Sequence, residues 1–284
     1  MDLLEKLSYP EEIITKKRPC NINLCDEHLF DSKYNDILLK VFPIKLKKCF
    51  ISPNGYLFKN FILNKEQINL WIGYKNLFKL YLKSLISILN FRKKKRIKKA
   101  IYVTNTNSIN FFHWFLDVLQ KLEFISKISD FKLEIIIPFS HIDNYKKDSL
   151  KTFDLNFYYQ KKNEIIFLDE LILLPDIGDT TGNYRKELVL KLRNRLRNYW
   201  LKDLGTNFKL KRIYITRKNA NRRRIINENK IFPILKKLNF HIVDFDTLNF
   251  QEQIKYILNC EVLVSMHGAG LTHMLWMKEK GKIL

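Results

Sequence analysis

Val262-Leu263-Val264 leads into Met266-His267-Gly268-Ala269-Gly270, and the chain beyond, from Leu271 to Met277, is apolar enough to begin a helix. A short apolar run of strand length, closed by a glycine-rich turn and followed by a helix start, is the junction around which α/β domains are built. Glycine at such a turn lets backbone N–H groups face a ligand, and the helix start adds partial positive charge, which suits phosphate. The plainer alternative is a turn that only joins a strand to a helix.

The pattern upstream supports an α/β fold. Strand-like stretches at 212–216, 241–245 and 261–265 alternate with helical stretches at 228–238 and 250–258, a βαβαβ order. Further back, strands are expected at 100–103, 131–138 and 165–174, with a helix at 111–125 and a shorter one at 149–155. Alternation of this kind predicts a mostly parallel sheet covered on both faces. The ranges follow from it: an irregular region at 1–99, a first Rossmann-like domain at 100–183, a connecting helix and linker at 184–209, and a second at 210–284. The last stops one strand start, Lys282-Ile283-Leu284, beyond the turn, so it reads as incomplete. Within 1–99, Ser52-Pro53-Asn54-Gly55-Tyr56 has the composition of a turn between short strands.

Charge narrows the partners. Lys and Arg outnumber Asp and Glu by 51 to 29, a formal net charge of +22. Nucleic acid, anionic lipid and phosphorylated small molecules all suit such a surface. Nucleic-acid binding calls for aromatics interleaved with the basic residues, whereas the aromatics here sit in apolar runs, so specific nucleic acid is not expected. Residues 76–99 combine a wide apolar face, made of Leu77, Phe78, Leu80, Tyr81, Leu82, Leu85, Ile86, Ile88 and Leu89 and interrupted by Lys79 and Lys83, with a run from Arg92 to Lys99 that is basic at every position except Ile97. That fits an interfacial helix on an anionic membrane surface, or a core-packed helix followed by a solvated lysine loop. No stretch reaches the length of a clear membrane span. Cys20, Cys25, Cys49 and Cys260 have neither zinc nor disulfide-framework spacing, and MDLLEKLSYPEEIITKK lacks the layout of a secretory signal. The expectation is cytoplasmic residence, with peripheral attachment at the inner face of the cell membrane.

Three constellations carry chemistry. In FFHWFLDVLQKLEF, His113 and Asp117 stand four apart and share a helix face, an acid/base pair or a polar pair on a buried helix. In YITRKNANRRR, Arg217 follows a strand end, where open α/β sheets bind ligands, and Arg222, Arg223 and Arg224 precede the next helix. Guanidinium groups placed there suit a diphosphate, and for Arg223 and Arg224 the alternative is a solvated basic loop. The third is His267 to Gly270, which should emerge at the same sheet edge as Arg217. Asp244-Phe245-Asp246 has the form of a metal-binding DxD, but adjacent arginines can neutralise phosphate without a metal, and none is expected.

The ordered set FFHWFLDVLQKL, YITRKNANRRRIINE and VDF…EQIKYILNCEVLVSMHGAGLTHMLWM resembles glycosyltransferase family 61, from about Thr104 to Leu284. That family includes bacterial capsular polysaccharide transferases, plant xylosyl- and arabinosyltransferases and animal protein O-linked N-acetylglucosaminyltransferases. The resemblance implies a GT-B-like architecture, two Rossmann-like domains facing a cleft, and an inverting transfer from a nucleotide-sugar donor. The acceptor would be a hydroxyl of a glycan or lipid-linked saccharide, in capsular or surface polysaccharide synthesis, with no cofactor. By the same resemblance, Arg217 with Arg222 or Arg223 binds the donor diphosphate. His267, Gly268, Ala269 and Gly270 help hold the nucleotide-sugar, and Asp117 or His113 takes the acceptor proton. Members of the family continue past the HGAG turn, so a truncated, inactive transferase-like protein is one alternative, and a basic nucleic-acid-binding protein is the other.

Overall fold

The computed structural model describes residues 3–17, 28, 34–68, 74–129, 131–178, 183–205, 210–220 and 223–284. They fall into two compact units, Met1–Lys146 with Phe153–Val189, and Lys147–Thr152 with Leu190–Leu284.

In the first unit, β1 (Glu12–Thr15) and β2 (Asn35–Leu38) form an antiparallel ribbon of their own. The main sheet comprises β3 (Ile44–Ile51), β4 (Leu57–Lys59), β5 (Ile62–Leu63), β6 (Lys93–Tyr102), β7 (Glu134–Ile137), β8 (Phe157–Tyr159) and β9 (Glu164–Leu173). Its strand order is β5-β4-β3-β9-β6-β7-β8. From β9 to β8 the pairing is parallel, and from β9 through β3 to β5 it is antiparallel. The parallel part alone, β8-β7-β6-β9, reverses its direction of winding between β6 and β9, as doubly wound sheets do at their ligand-binding crevice.

Two expectations are corrected here. The region 1–99 is not irregular: β3, β4 and β5 belong to the same sheet as β6–β9, and the compact unit does not begin at residue 100. The anchoring partner of β3 is β9, in the register Ile44↔Leu173 to Ile51↔Ile166, more than a hundred residues along the chain and invisible to local pattern. Nor is the basic run a helix flank or a loop. It is the outer half of β6, exposed from Lys93 to Arg96 and buried from Ala100 to Tyr102. Neighbouring strands supply what its own composition withholds: Glu170 of β9 takes Lys45 from β3 and Lys99 from β6, each at 2.7 Å, and Arg96 pairs with Asp169. These lysines hold the Glu170 carboxyl below its ordinary value. Such exposed pairs contribute little stability each, but they remove the like-charge penalty that would otherwise disfavour the strand.

The turn at residues 52–55 joins β3 to β4, as its composition indicates. Gly55 sits at φ +86°. Its carbonyl accepts from the Gln67 amide at 2.8 Å and the Tyr102 hydroxyl at 2.6 Å, locking the hairpin onto β6. The helix Tyr74–Leu89 packs one side against the sheet, with Leu77, Leu80, Tyr81 and Ile88 against Phe50, Phe58 and Ile165. A second helix runs over 111–125 and contains a five-residue π-helical turn, Trp114–Val118. Trp114 in that turn is fully buried, so it is a core residue rather than a stacking surface.

The second unit carries a parallel four-stranded sheet of β10 (Arg212–Ile215), β11 (His241–Val243), β12 (Val262–Ser265) and β13 (Lys282–Ile283), in the order β11-β10-β12-β13. This agrees with the βαβαβ reading, and winding reverses between β10 and β12. The long basic helix Lys186–Leu204 contributes its length from Leu190 onward to this unit. Its arginines are not simply solvated: Arg197 donates to the carbonyls of Leu258 and Trp276, and Arg193 to that of Met277. Trp200, Phe250, Trp276, His273 and Phe245 form a chain of ring contacts that anchors the segment after the glycine turn. Cys49 and Cys260 are buried free thiols pushed up to about 11 by burial, while Cys20 and Cys25 lie outside the described residues. Among the described residues no helix is long and apolar enough to cross a membrane.

A Cβ on residue 55 would lie 2.6 Å from Pro138 Cβ and 2.9 Å from Ser140 Oγ, in a backbone conformation that L residues avoid. Gly55→Ala should therefore destabilise the protein by roughly 1–3 kcal/mol, measured by denaturant unfolding. An unchanged midpoint would contradict this account of the hairpin.

Candidate functional site

Each sheet presents polar groups at the carboxyl ends of the strands flanking its reversal point. In the first unit, β6 ends at Tyr102 and the chain passes through Val103 and Thr104 to Asn105. The Asn105 side chain caps the turn Thr106–Ile109 by accepting from the backbone N–H groups of Asn107 and Ser108. Its amide donates to Asp176 Oδ2 at 2.7 Å, just beyond the end of β9. Lys121 of the second helix, almost fully buried, reaches the same place, donating to the Val103 carbonyl at 3.0 Å with its ammonium 2.6 Å from Asp176 Oδ1. A buried cation is tolerable only when paired and hydrogen-bonded, and both conditions are met here.

His113 and Asp117 share the helix face with Lys121, at successive steps of four. His113 Nδ1 lies 2.7 Å from Asp117 Oδ2, and the Tyr184 hydroxyl donates to Asp117 Oδ1 at 3.1 Å. Both carboxylate oxygens are thus engaged, one orienting the imidazole and the other held from the loop before the long helix. The hydrogen bond to Asp117 raises the His113 pKa above 6.5, outweighing partial burial, with the charges of Asp117 and Asp176 acting in the same direction. A histidine whose Nδ1 is fixed by a carboxylate presents Nε2 for proton transfer, and Nε2 carries no hydrogen bond among the described residues.

In the second unit, the pairing of Ile215 with Ser265 brings the ends of β10 and β12 side by side. The Arg217 loop and the His267–Gly270 turn emerge there together. Arg217 Nε donates to the Arg223 carbonyl at 3.2 Å, and Arg223 Nη1 donates to His267 Nδ1 at 2.6 Å. Arg223 adopts φ +55°, a conformation that costs a non-glycine residue energy and lets it bridge both neighbours. Gly268 is required by proximity rather than by its backbone, which is extended. A Cβ there would lie 2.1 Å from Arg217 Nη1 and 2.9 Å from its Cζ. The guanidinium therefore lies over the glycine. Beyond it, Ala269–Trp276 forms a 3-10 helix rather than the expected α-helix, and among the described residues no side chain caps its start. Its start, at Gly268, lies beside Arg217, and the Leu271 N–H donates to the Gly268 carbonyl at 3.1 Å. Arg222 lies outside the described residues.

Glu228 stabilises this end of β10. Nearly buried, it accepts from the Tyr214 and Thr216 hydroxyls at 2.6 Å each and from the Arg217 backbone N–H at 3.4 Å. His273 and Trp276 pack in the core instead of lining a rim: His273 lies 2.9 Å from the Gly270 carbonyl and 3.0 Å from Gln253 Oε1, which ties the turn to the helix Phe250–Leu258. Asp244 of the DxD accepts from Asn219 Nδ2 and from the Asp246 N–H, so its carboxylate serves the turn. Among the described residues no group of three or more His, Cys, Asp or Glu side chains is arranged to hold a metal ion.

Tyr184, Asp176, Asn105, Lys121 and Glu228 were not among the residues singled out from sequence. Lys121 continues the spacing of His113 and Asp117, a signal legible in the helix pattern. The others reach their partners only through the fold.

The histidines titrate in opposite senses. His113 is raised, so its pairing contributes fully at pH below 6.5 and is lost as pH rises through its folded value. Burial lowers His141 and His273 to about 4, so the folded protein loses stability as pH falls from 6.5 toward 4, where the unfolded chain binds protons that the folded chain does not. Melting curves between pH 8 and 4 should show that acid loss, with a shallower slope for His273→Gln. An NMR titration should place His113 above its ordinary value in the wild type and lower in Asp117→Asn. Equal His113 values in the two proteins would overturn the pairing.

A family model described as Glycosyltransferase 61 matches residues 111–284, more than half of the chain. Curated relatives include EGF domain-specific O-linked N-acetylglucosamine transferases. That of Gallus gallus is 34% identical over 73 residues, covering 24% of this chain and 14% of the relative. The Canis lupus familiaris protein is likewise 34% identical over 73 residues, and the Drosophila melanogaster protein 32% over 72, with the same coverage. The matched stretch thus spans a small part of those relatives' length.

Proposed function

Because the chain belongs to glycosyltransferase family 61, we propose that it moves a sugar from a nucleotide-sugar donor to a hydroxyl of a glycan or lipid-linked saccharide, with inversion at the anomeric carbon. The observation that carries this reading is the Arg217 guanidinium over Gly268 at the reversal point of the second sheet. Arginines beside the start of a short helix at one crevice favour a diphosphate over a neutral ligand. Arg217 and Arg223 are the donor-diphosphate ligands, and Arg222 is proposed with them from its place in the sequence. His267, Gly268, Ala269 and Gly270 form the turn that receives the nucleotide-sugar.

In a single displacement the acceptor oxygen bonds to the anomeric carbon as the carbon–phosphate-oxygen bond breaks. The electron pair leaves on the nucleoside diphosphate and the acceptor proton goes to a base. Between the two candidates, the hydrogen bonds favour His113 as that base. Asp117 is occupied by the His113 ring and the Tyr184 hydroxyl, which suits it to orient the imidazole and stabilise the imidazolium that forms. Arg217 stabilises the departing diphosphate, a role that needs charge but no metal.

Donor hydrolysis and transfer across a panel of nucleotide-sugars tests the assignment. Arg217→Ala should lower kcat/KM by roughly 10²–10³-fold, and His113→Ala should lower kcat by roughly 10²–10⁴-fold with donor binding retained. Gly268→Ala separates binding from folding. Its Cβ displaces a flexible side chain from an unstrained backbone, so the melting temperature should hold while donor affinity falls. Donor turnover unaffected in both Arg217→Ala and Gly268→Ala would sink the proposed donor site.

A further inference from the structure

The helix Tyr74–Leu89 has a second side that the transfer reading leaves unused. Phe78, Leu82, Ile86 and Leu89 are 63%, 42%, 56% and 83% exposed, on the side opposite the residues that pack on the sheet. At about 100° per residue they fall within one narrow arc of the helix, and Lys75, Lys79 and Lys83, all exposed, lie within or beside it. A helix that merely covers a sheet has no need of four large apolar side chains in water, because one buried stripe suffices.

The surface continues onto the sheet. Side chains alternate along β6, so Lys94 and Arg96 stand on the face of Phe167, to which Arg96 is registered, and of Phe50. That is also the face on which the helix packs. An open cavity there is lined by Lys48, Phe50, Phe61, Lys94, Arg96 and Phe167. Phe61 and Ile62 beside it are 64% and 69% exposed, and the Phe61 carbonyl accepts from Tyr81 of the helix. The local charge has one sign: no Asp or Glu occurs between Glu66 and Asp117, and the one acidic residue lining the cavity, Asp169, is paired with Arg96.

We propose that this face, formed by the exposed stripe of the helix 74–89 and the basic outer half of β6, docks on the surface of an anionic phospholipid bilayer. Large apolar side chains at the level of the acyl boundary, with lysines beside them at the level of the phosphates, are what such a surface accommodates. A folded acidic partner would meet the lysines but would need its own apolar patch for Phe78 and Leu89. The bilayer satisfies both at once. The lysines that sequence alone left in a helix flank or a loop are held by the β-ladder, so their charge is presented on a rigid surface. The proposal stands apart from the donor-site assignment, and the two fail by different measurements.

Co-sedimentation of the full chain with vesicles tests it, comparing phosphatidylcholine alone with phosphatidylcholine mixed with phosphatidylglycerol. The wild type should bind the mixed vesicles and not the neutral ones, and the binding should weaken with added salt. Replacing Phe78, Leu82, Ile86 and Leu89 by Ser should lower the apparent partition by roughly tenfold or more, and replacing Lys75, Lys79 and Lys83 by Glu should do the same. These side chains are exposed, so circular dichroism melting should remain that of the wild type. Arg217→Ala should bind vesicles normally, which excludes lipid phosphate simply entering the diphosphate site. Absence of wild-type binding to anionic vesicles would overturn the proposal, as would full binding by both multiple variants. So would loss of vesicle binding in Arg217→Ala, or a wild-type dimer that the serine variant dissociates in the absence of vesicle binding.

Discussion

Parallel pairing of β6 with β9 is the constraint on which the first unit turns. Its register runs from Lys93↔Glu164 to Tyr102↔Leu173, the length of both strands. It joins the antiparallel strands β3 to β5 edge to edge with the parallel strands β6 to β8 in one sheet, and it sets the two carboxyl ends that carry Asn105 and Asp176. Lys121 then finds its carbonyl and its carboxylate because both strands stop at the same level. The second unit repeats the device with β10 and β12. There the aligned ends bring Arg217 over Gly268 and Arg223 against His267. In each case the polar groups cluster where winding reverses, since only there do two adjacent strands send their following segments to opposite sides of the sheet and leave a crevice between.

The two clusters differ in electrostatic character. Around Asp117 and Asp176 the cations are partners, and the arrangement favours a protonated imidazole beside a carboxylate. Around Arg217 the cluster rests on the guanidinium groups of Arg217 and Arg223. The carboxylate of Glu228 beneath them is engaged by two hydroxyls and a backbone N–H, which fix its place under the loop. In the proposed transfer the first would accept a proton and the second negative charge.

Much of the second unit was legible because its signals are local. The apolar runs of β10 and β12, the helical stretch between them at 250–258, and the glycines of the turn each act within a few residues. The neighbourhood of Arg217 and Gly268 followed from parallel topology alone. In the first unit, the helix carrying His113 and Asp117 was plain from its period. The strand identity of Lys93 to Lys99 was not, since lysine-rich sequence becomes a strand only when β9 supplies a ladder and acidic partners. Tyr184 reads as the approach to a basic helix, and its hydroxyl reaches Asp117 across 67 residues of chain. A pattern of residues cannot announce a contact that the tertiary fold creates.

The π-helical turn at Trp114–Val118 has a consequence for the length of this helix. It accommodates one residue more than a regular α-helix would over the same rise, between His113 and the face bearing Lys121. The extra residue is absorbed within one turn, so the face of Lys121 stays in phase with that of His113 and Asp117. Deleting a residue inside the turn would leave a regular α-helix with its two ends still aligned. Deleting one from the regular stretch that follows, at 119–120, would instead rotate what comes after by about 100° and carry Lys121 away from the Val103 carbonyl and Asp176. The helix therefore has one turn in which its residue count can change without shifting the polar groups on either side.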